Sequence, residues 1–197
     1  MKKLVVLMLI ASMIAASLCG CTSSKKTETE APTEETPTEG MANPWTDITE
    51  EDAKAEVPRS FKAPDGATNI SWQSLTEKDA AEKDPKLIQL QFTLDGTDYC
   101  AREKYGAPED EDISGMHYTW AGVADGKFSN WGDGNCTYKS SSYVGDENDA
   151  NDMDAMLIEW YDIEIGIKYS LSATGEDLNG LDIAAIADMM YSSENGK

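Results

Sequence analysis

The sequence predicts an α+β fold for residues 43–197: a mainly antiparallel β-sheet with a short helix near the N-terminal end and a C-terminal helix packed on the sheet. Several runs alternate apolar and polar residues, and an Asp-Gly pair separates two of them. On either side of these predicted strands lies a stretch whose sequence is typical of a helix. The alternation argues against a parallel nucleotide-binding sheet, whose strands would be continuously apolar.

The first element is a short surface helix over the stretch TEEDAKAE. Thr49 is expected to cap its start, with Asp52 completing a capping box, and Pro58 is expected to stop it. Trp45 and Ile48, just before the helix, are predicted to dock it onto the domain.

The clearest pattern is a β-hairpin formed by Leu87–Leu94 and Thr97–Arg102 around Asp95-Gly96. Both central positions of such a turn require positive φ, which Asp and Gly tolerate. We expect one face of the first strand to pack and the other to see water. The packed set is Leu90, Phe92 and Leu94, and the water-facing set is Gln89, Gln91 and Thr93.

Period-2 alternation predicts five further strands. They are Asn69–Leu75, Met116–Val123, Asn135–Ser140, Ala155–Tyr161 and Ile163–Ser172. The last is predicted to be long and amphipathic, with Ile163, Ile165, Ile167, Tyr169 and Leu171 on one face.

The chain closes with a predicted helix within Leu178–Tyr191. Its apolar side chains cluster on one side at helical spacing: Leu181, Ala184, Ile186, Met189 and Met190. This face is expected to pack against the sheet, and a methionine-rich binding surface is the alternative.

The N-terminal segment has the pattern of a signal peptide, with two lysines followed by an apolar run too short for a typical membrane span. The stretch "LCGC" resembles the lipobox of bacterial lipoproteins, with Leu18 three residues and Gly20 one residue before Cys21. Cys19 fits poorly, because Leu18 would then occupy a position that requires a small residue. We therefore expect residues 1–20 to be removed and Cys21 to carry the lipid. An uncleaved anchor helix is the alternative.

Residues 21–42 are predicted to be a lipidated cysteine followed by a disordered tether. Thr, Glu, Pro, Ser and Lys make up almost all of this stretch, which cannot bury enough apolar surface to offset the entropy of ordering. Residues 43–197 then form a single extracytoplasmic domain of ordinary size. The expected location is the outer face of the cell membrane, with the lipid on Cys21 as the membrane contact.

The chain is strongly acidic, with a formal net charge of -21. Like-charge repulsion disfavours nucleic acid as a partner. The same charge favours cations, basic peptides or basic protein surfaces, and it also serves solubility alone.

Two cysteines remain in the predicted domain, Cys100 and Cys136. In an exported chain such a pair is typical of a disulfide, and a loop of this size would add about 4 kcal/mol on the chain-entropy model. Two reduced core thiols are the alternative. A four-ligand zinc site is improbable, because His117 is the only histidine and neither cysteine has a nearby partner in the sequence.

Calcium is the one cofactor that the sequence suggests. The run "GDENDANDMD" offers carboxylates at Asp146, Asp149, Asp152 and Asp154. The run does not follow the EF-hand register, since Ala150 occupies a ligand position. A solvated loop between strands is the alternative.

No catalytic residues are predicted. His117 would have to serve any Ser-His-Asp arrangement, and the chain carries no G-x-S-x-G motif. Glu159 and Glu164 could face a cleft as a pair of carboxylates, but solvated faces are the default for acids on such strands.

The aromatic content could serve the core or line a groove for an apolar ligand or peptide. The residues concerned are Trp72, Trp120, Trp131 and Trp160, with Tyr118, Tyr138 and Tyr161.

Three stretches carry a resemblance to a known group of proteins: "NPW" at residues 43–45, "DISG" at 112–115 and "GIKYSLS" at 166–172. They are similar to an uncharacterised domain of Gram-positive bacterial lipoproteins and anti-sigma-type membrane proteins. The resemblance implies an extracytoplasmic module with a curved antiparallel sheet, related to lipoprotein-sorting or sigma-regulating sensor domains.

Taken with the absence of catalytic motifs, these features predict a membrane-anchored, non-catalytic binding or sensing module for a protein, peptide or envelope component. The alternatives are a small carboxylate-dependent hydrolase and a calcium-stabilised surface scaffold.

Overall fold

The computed structural model describes residues 43–76, 84–146, 148–149 and 152–192, which form an open, antiparallel, eight-stranded sheet with two helices. This confirms the predicted class, a mainly antiparallel sheet with a helix near each end. The order of strands across the sheet is β1-β2-β3-β4-β8-β7-β6-β5. The strands are β1 (Trp45–Ile48), β2 (Thr68–Leu75), β3 (Leu87–Leu94), β4 (Thr97–Tyr105), β5 (Gly122–Lys127), β6 (Thr137–Tyr143), β7 (Asp154–Asp162) and β8 (Ile167–Gly175).

The first helix, α1 (Glu50–Glu56), has the predicted capping box. Thr49 Oγ1 accepts a hydrogen bond from Asp52 N at 3.1 Å, and the Asp52 carboxylate accepts one from Thr49 N at 3.1 Å. The predicted docking residues Trp45 and Ile48 belong to β1, an edge strand that pairs with β2, and Ile48 packs against the core as expected.

The β3–β4 hairpin turns where predicted. Asp95 and Gly96 adopt φ values of 52° and 85°, which both central positions of this tight turn require. Leu94 pairs with Thr97 across the turn. Gln89 departs from its predicted exposure, because it is buried on the polar side of β3.

Two predicted strands are wrong in position. Residues 116–121 lie outside any strand, and β5 begins only at Gly122. Ile163 and Ile165 belong to the turn between β7 and β8, where the Asp162 carboxylate accepts hydrogen bonds from backbone N–H groups and Gly166 adopts a φ of 69°. Ile163 is therefore 81% exposed.

One side of the sheet, the helix face, carries the main core. Trp131, in a short 3₁₀ turn (Trp131–Gly134), packs against Trp160 and Tyr169 with ring centroids 5.1 and 4.7 Å away. Its indole Nε1 donates to the Ala187 carbonyl at 2.9 Å, which fixes the second helix, α2 (Ile183–Met189), onto this cluster. The predicted apolar stripe of α2 is partly wrong, since Met189 is exposed while Ile183, Ala187 and Met190 are buried.

The opposite side of the sheet, the open face, is partly covered by residues 106–121, the covering loop. Because this loop crosses β4 and β8, Lys168, Ser170 and Ser172 are buried as well as their helix-face neighbours. The predicted amphipathic character of β8 is thus wrong, as both of its faces are covered.

Within the described ranges, no helix is long and apolar enough to cross a membrane. The predicted signal peptide, the lipidation site Cys21 and the tether lie outside those ranges.

Candidate functional site

The open face is organised in rows of side chains that run across the strands. One row crosses all eight strands: Asp47, Gln73, Gln89, Arg102, Ser170, Glu159, Lys139 and Asp125. Its first half is a chain of hydrogen bonds. Gln73 Nε2 donates to Asp47 Oδ1 at 2.9 Å, Gln89 Nε2 to Gln73 Oε1 at 3.1 Å, and Arg102 Nε to Gln89 Oε1 at 2.8 Å. The two amides thereby link a carboxylate at the sheet edge to a guanidinium near its centre.

Arg102 also fixes the covering loop. Its Nη1 donates to the carbonyls of Ile113 and Ser114 at 3.2 and 2.8 Å. Gly115 has a φ of 66°, and a Cβ atom at this position would lie 2.4 Å from Arg102 Nη1. The loop can approach the guanidinium this closely because residue 115 has no side chain.

Two lysines hold the loop further along. Lys104 Nζ pairs with Glu111 Oε1 at 2.7 Å, and Lys168 Nζ donates to the Glu109 carbonyl at 2.9 Å. Lys104 and Lys168 stand directly opposite each other on β4 and β8, where like charges repel. The acidic loop offsets that repulsion. Five of the nine described Lys and Arg side chains lie on this face: Arg102, Lys104, Lys127, Lys139 and Lys168.

A groove of about 500 Å³ opens on one side of the covering loop, across β3, β4 and β8. Met116 of the loop forms one wall, and Asn69 at the start of β2 lies at the other. Hydrogen-bonding side chains line the groove between them: Gln91, Thr93, Asp98, Cys100, Ser172 and Thr174.

The groove's polar side chains are held by one another. Thr93 Oγ1 donates to Asp98 Oδ1 at 2.6 Å, and Asn69 Nδ2 donates to Thr93 Oγ1 at 3.2 Å. Asn69 has a φ of 51° beside a register shift in the β2–β3 ladder, and this bend brings its amide over β3. Asp98 is the single carboxylate in the described lining and is exposed. The groove therefore presents one negative charge among neutral donors and acceptors.

A second depression, of about 410 Å³, lies on the other side of the covering loop. Charges of both signs line it, and Lys168 Nζ lies 3.6 Å from Glu159 Oε1. Lys139 stands between Asp125 and Glu159 in the cross-strand register. The second depression therefore mixes charges of both signs, whereas the described lining of the groove carries one carboxylate and no cation.

The predicted carboxylate pair is not brought together. Glu159 lines the second depression, whereas Glu164 lies exposed in the turn after β7 and does not line it. His117 is exposed on the covering loop. Nearby, hydrogen bonds from Ser114 to the Asp112 carboxylate outweigh its partial burial, and the pKa of Asp112 is lowered.

The two cysteines are free thiols and lie far apart. Cys100 lies on β4, and Cys136 precedes β6 with Sγ 3.3 Å from the Tyr161 carbonyl. β8 and β7 lie between them, and three strand spacings amount to roughly 14 Å, about twice the Cα separation that a disulfide allows. In the described structure the two thiols are free, and the disulfide stays a prediction. Burial raises the pKa of both thiols, that of Cys136 to about 11, which makes them poor nucleophiles at neutral pH.

The carboxylates of Asp146, Asp152 and Asp154, in the predicted calcium run, accept hydrogen bonds from the protein itself. Asp152 accepts hydrogen bonds from the Tyr143 hydroxyl and from Asp146 N, and Asp154 accepts them from two backbone N–H groups. Asp149 N donates to the Asp146 carbonyl at 2.8 Å. Among the described residues, no three acidic, cysteine or histidine side chains are placed to hold a metal ion.

The aromatic residues that the sequence suggested for a groove lie on both faces of the sheet and do not line one groove. Trp72, Trp131 and Trp160 are buried in the helix-face core. Tyr118 of the covering loop packs on Trp120 and on Tyr143, with ring centroids 5.4 and 5.0 Å away. Of the groove's polar residues, the sequence predicts only Gln91 and Thr93 as exposed, on the water-facing side of the hairpin.

Glu103 is a fully buried acid on the helix face. Its carboxyl oxygens lie 2.6 Å from Ser60 Oγ and 3.1 Å from Phe61 N. Burial raises the pKa of this group to about 8, against the lowering effect of both hydrogen bonds. Glu103 is thus protonated at neutral pH, and it ties the segment before β2 to the sheet.

The chain matches no protein-family model, and comparisons of its sequence and of its structure found no similar curated protein and no similar solved structure.

Proposed function

We propose that the protein is a lipid-anchored, extracytoplasmic binding module whose open face receives a positively charged peptide or envelope component. The lipobox around Cys21 and the polar stretch after it support the anchoring. The acidic composition supports a cationic partner. Of the possible roles that the sequence suggests, we favour the non-catalytic one, because the described lining of the groove provides a single carboxylate and no acid pair.

The observation that carries the proposal is the groove beside the covering loop. Its exposed carboxylate, Asp98, is oriented by Thr93, and amides at Asn69 and Gln91 flank it. A peptide ammonium or guanidinium group can pair with Asp98 while its backbone bonds to the amides. We include in this proposal the curved sheet that the resemblance implies. If the open face is concave, it contacts more of an extended ligand than a flat face would.

The test is titration calorimetry of the full chain in detergent with trilysine as the probe. We expect binding to the unmodified chain and roughly tenfold weaker binding to D98N, because a charge-assisted hydrogen bond contributes about 1.5–3 kcal/mol. D65N is the matched control: it makes the same charge change at an exposed turn outside the groove. No binding of trilysine, or equal weakening by D65N and D98N, would contradict the proposal.

A further inference from the structure

The outer edge of the sheet at β5 is open for pairing. In the described part of the chain, β5 is the last strand of the sheet and pairs with β6 alone. All six of its residues pair with β6 in register without a bulge, and its central residues are exposed. Edge strands of this kind offer unpaired backbone groups to another strand.

The hydrogen-bond pattern shows which groups point outward. Phe128 N donates to the Cys136 carbonyl at 3.0 Å, in the same register as the β5–β6 ladder. Because bonded residues alternate along an antiparallel strand, Gly122, Ala124 and Gly126 bond to β6. The N–H and C=O groups of the residues between them, Val123, Asp125 and Lys127, then point away from the sheet.

The side chains of β5 allow a second copy of the same strand. Asp125 and Lys127 are exposed and project from the open face two residues apart. In an antiparallel pair of two β5 strands centred on Gly126, Asp125 of each copy stands opposite Lys127 of the other. Both cross-strand pairs are then attractive. Centring on Asp125 would instead place two carboxylates opposite each other.

At the centre of this pair of strands, no side chain keeps the two backbones apart. Gly126 has no side chain, and the Tyr138 ring covers the space where one would project. Among the described residues, the one hydrogen-bond partner of Lys127 Nζ is Asn135 Oδ1, at 3.5 Å. At physiological salt the remaining acidic charges are screened beyond about 8 Å, while adjacent pairs are screened much less.

We propose that two copies of the chain associate through β5, in an antiparallel pair with Asp125 of each copy opposite Lys127 of the other. The association has two-fold symmetry and joins the two sheets edge to edge with their open faces on the same side. It requires no contribution from the groove.

Sedimentation equilibrium of the full chain in detergent, with charge-exchange variants, tests the proposal. D125K and K127D should each weaken association roughly tenfold or more, because two attractive pairs become repulsive, and the double variant D125K/K127D should restore it. D65K, which changes the net charge as D125K does, should leave association unchanged. Circular dichroism of each variant confirms that it folds.

A zero-length amine–carboxyl cross-linker provides the second readout. With a mixture of ¹⁵N-labelled and unlabelled chains, mass spectrometry should find Lys127 of one copy linked to Asp125 of the other. A chain that stays monomeric at every concentration would overturn the proposal, and so would a dimer that is insensitive to the charge exchange. Either result leaves the trilysine test of the groove unaffected.

Discussion

Glu103 shows how a single residue can set the pH dependence of the whole fold. A neutral carboxyl can donate to Ser60 Oγ and accept from Phe61 N, while the Ser60 hydroxyl lies 3.3 Å from the Phe61 carbonyl. A charged carboxylate would be buried opposite Tyr169. No cation in the described part of the chain offsets the effect of burial on its pKa. The sheet therefore favours the protonated acid.

This arrangement predicts that the chain loses stability as the pH rises. The pKa of Glu103 is about 8 in the folded state and close to 4.5 when unfolded, so between these values the folded state holds one proton more. Its contribution is complete below about pH 4.5 and declines by about 1.4 kcal/mol per pH unit up to about pH 8. The Glu103→Gln variant keeps a donor and an acceptor, and it should lack this decline in urea unfolding at a series of pH values.

Glu164→Gln is the control for that experiment, because Glu164 is exposed in the β7–β8 turn. It should keep the decline of the unmodified chain. If E103Q and the unmodified chain show the same pH dependence, Glu103 is not the group responsible.

At the same scale, residue type predicted some features and not others. The Thr49 capping box and the Asp95-Gly96 turn follow from chemistry within a few residues, and both are confirmed. The burial of Glu103 could not be predicted from β4 alone, because its partners Ser60 and Phe61 come from a segment 42 to 43 residues earlier.

Among the elements, the covering loop accounts for two errors in the sequence prediction: a strand that does not form and a strand whose polar face is buried. The stretch "MHYTWAGV" has the alternation of a strand, yet residues 116–120 lie outside any ladder, and Tyr118 packs on Tyr143 of the open face. The loop also buries Lys168, Ser170 and Ser172, which turns an amphipathic pattern into a strand covered on both faces. These contacts lie far apart in sequence, beyond the reach of local periodicity.

The loop's attachment predicts an unusually costly glycine substitution. Gly115→Ala should destabilise the chain by roughly 2–4 kcal/mol, since it adds a clash with Arg102 to the cost of a positive φ. Gly96→Ala is the matched control: Gly96 also has positive φ, but a Cβ there meets nothing within 4 Å. We expect about 1 kcal/mol for G96A in urea unfolding. Equal losses in the two variants would show that Arg102 does not fix the loop.

Across the whole molecule, the sheet brings together residues that the sequence separates. The groove draws Asn69 from β2, Asp98 from β4 and Thr174 from β8, and only the strand order β2-β3-β4-β8 makes them neighbours. The sequence predicted the α+β class because alternation and turns are local signals. The groove could not be predicted, because it depends on which strands pair and on where the covering loop crosses them.

The charge distribution shows the same dependence on the fold. The chain carries a net charge of -21, but most of its described cations lie on the open face, where the acidic covering loop meets them. The composition therefore predicts an acidic surface, but it does not indicate that the open face carries charges of both signs.

The central claim, that this domain works from a lipid anchor on the outer side of the membrane, is tested most directly by replacing one cysteine at a time in the full chain. Membrane fractionation should find the Cys21→Ser variant released from the lipid-anchored fraction, because the lipidated thiol is lost. Cys19→Ser should remain membrane-bound as the unmodified chain does, because the proposed cleavage before Cys21 would remove Cys19. Equal membrane retention of C21S and C19S, with no lipid mass on the N-terminal peptide of the unmodified chain, would contradict the claim.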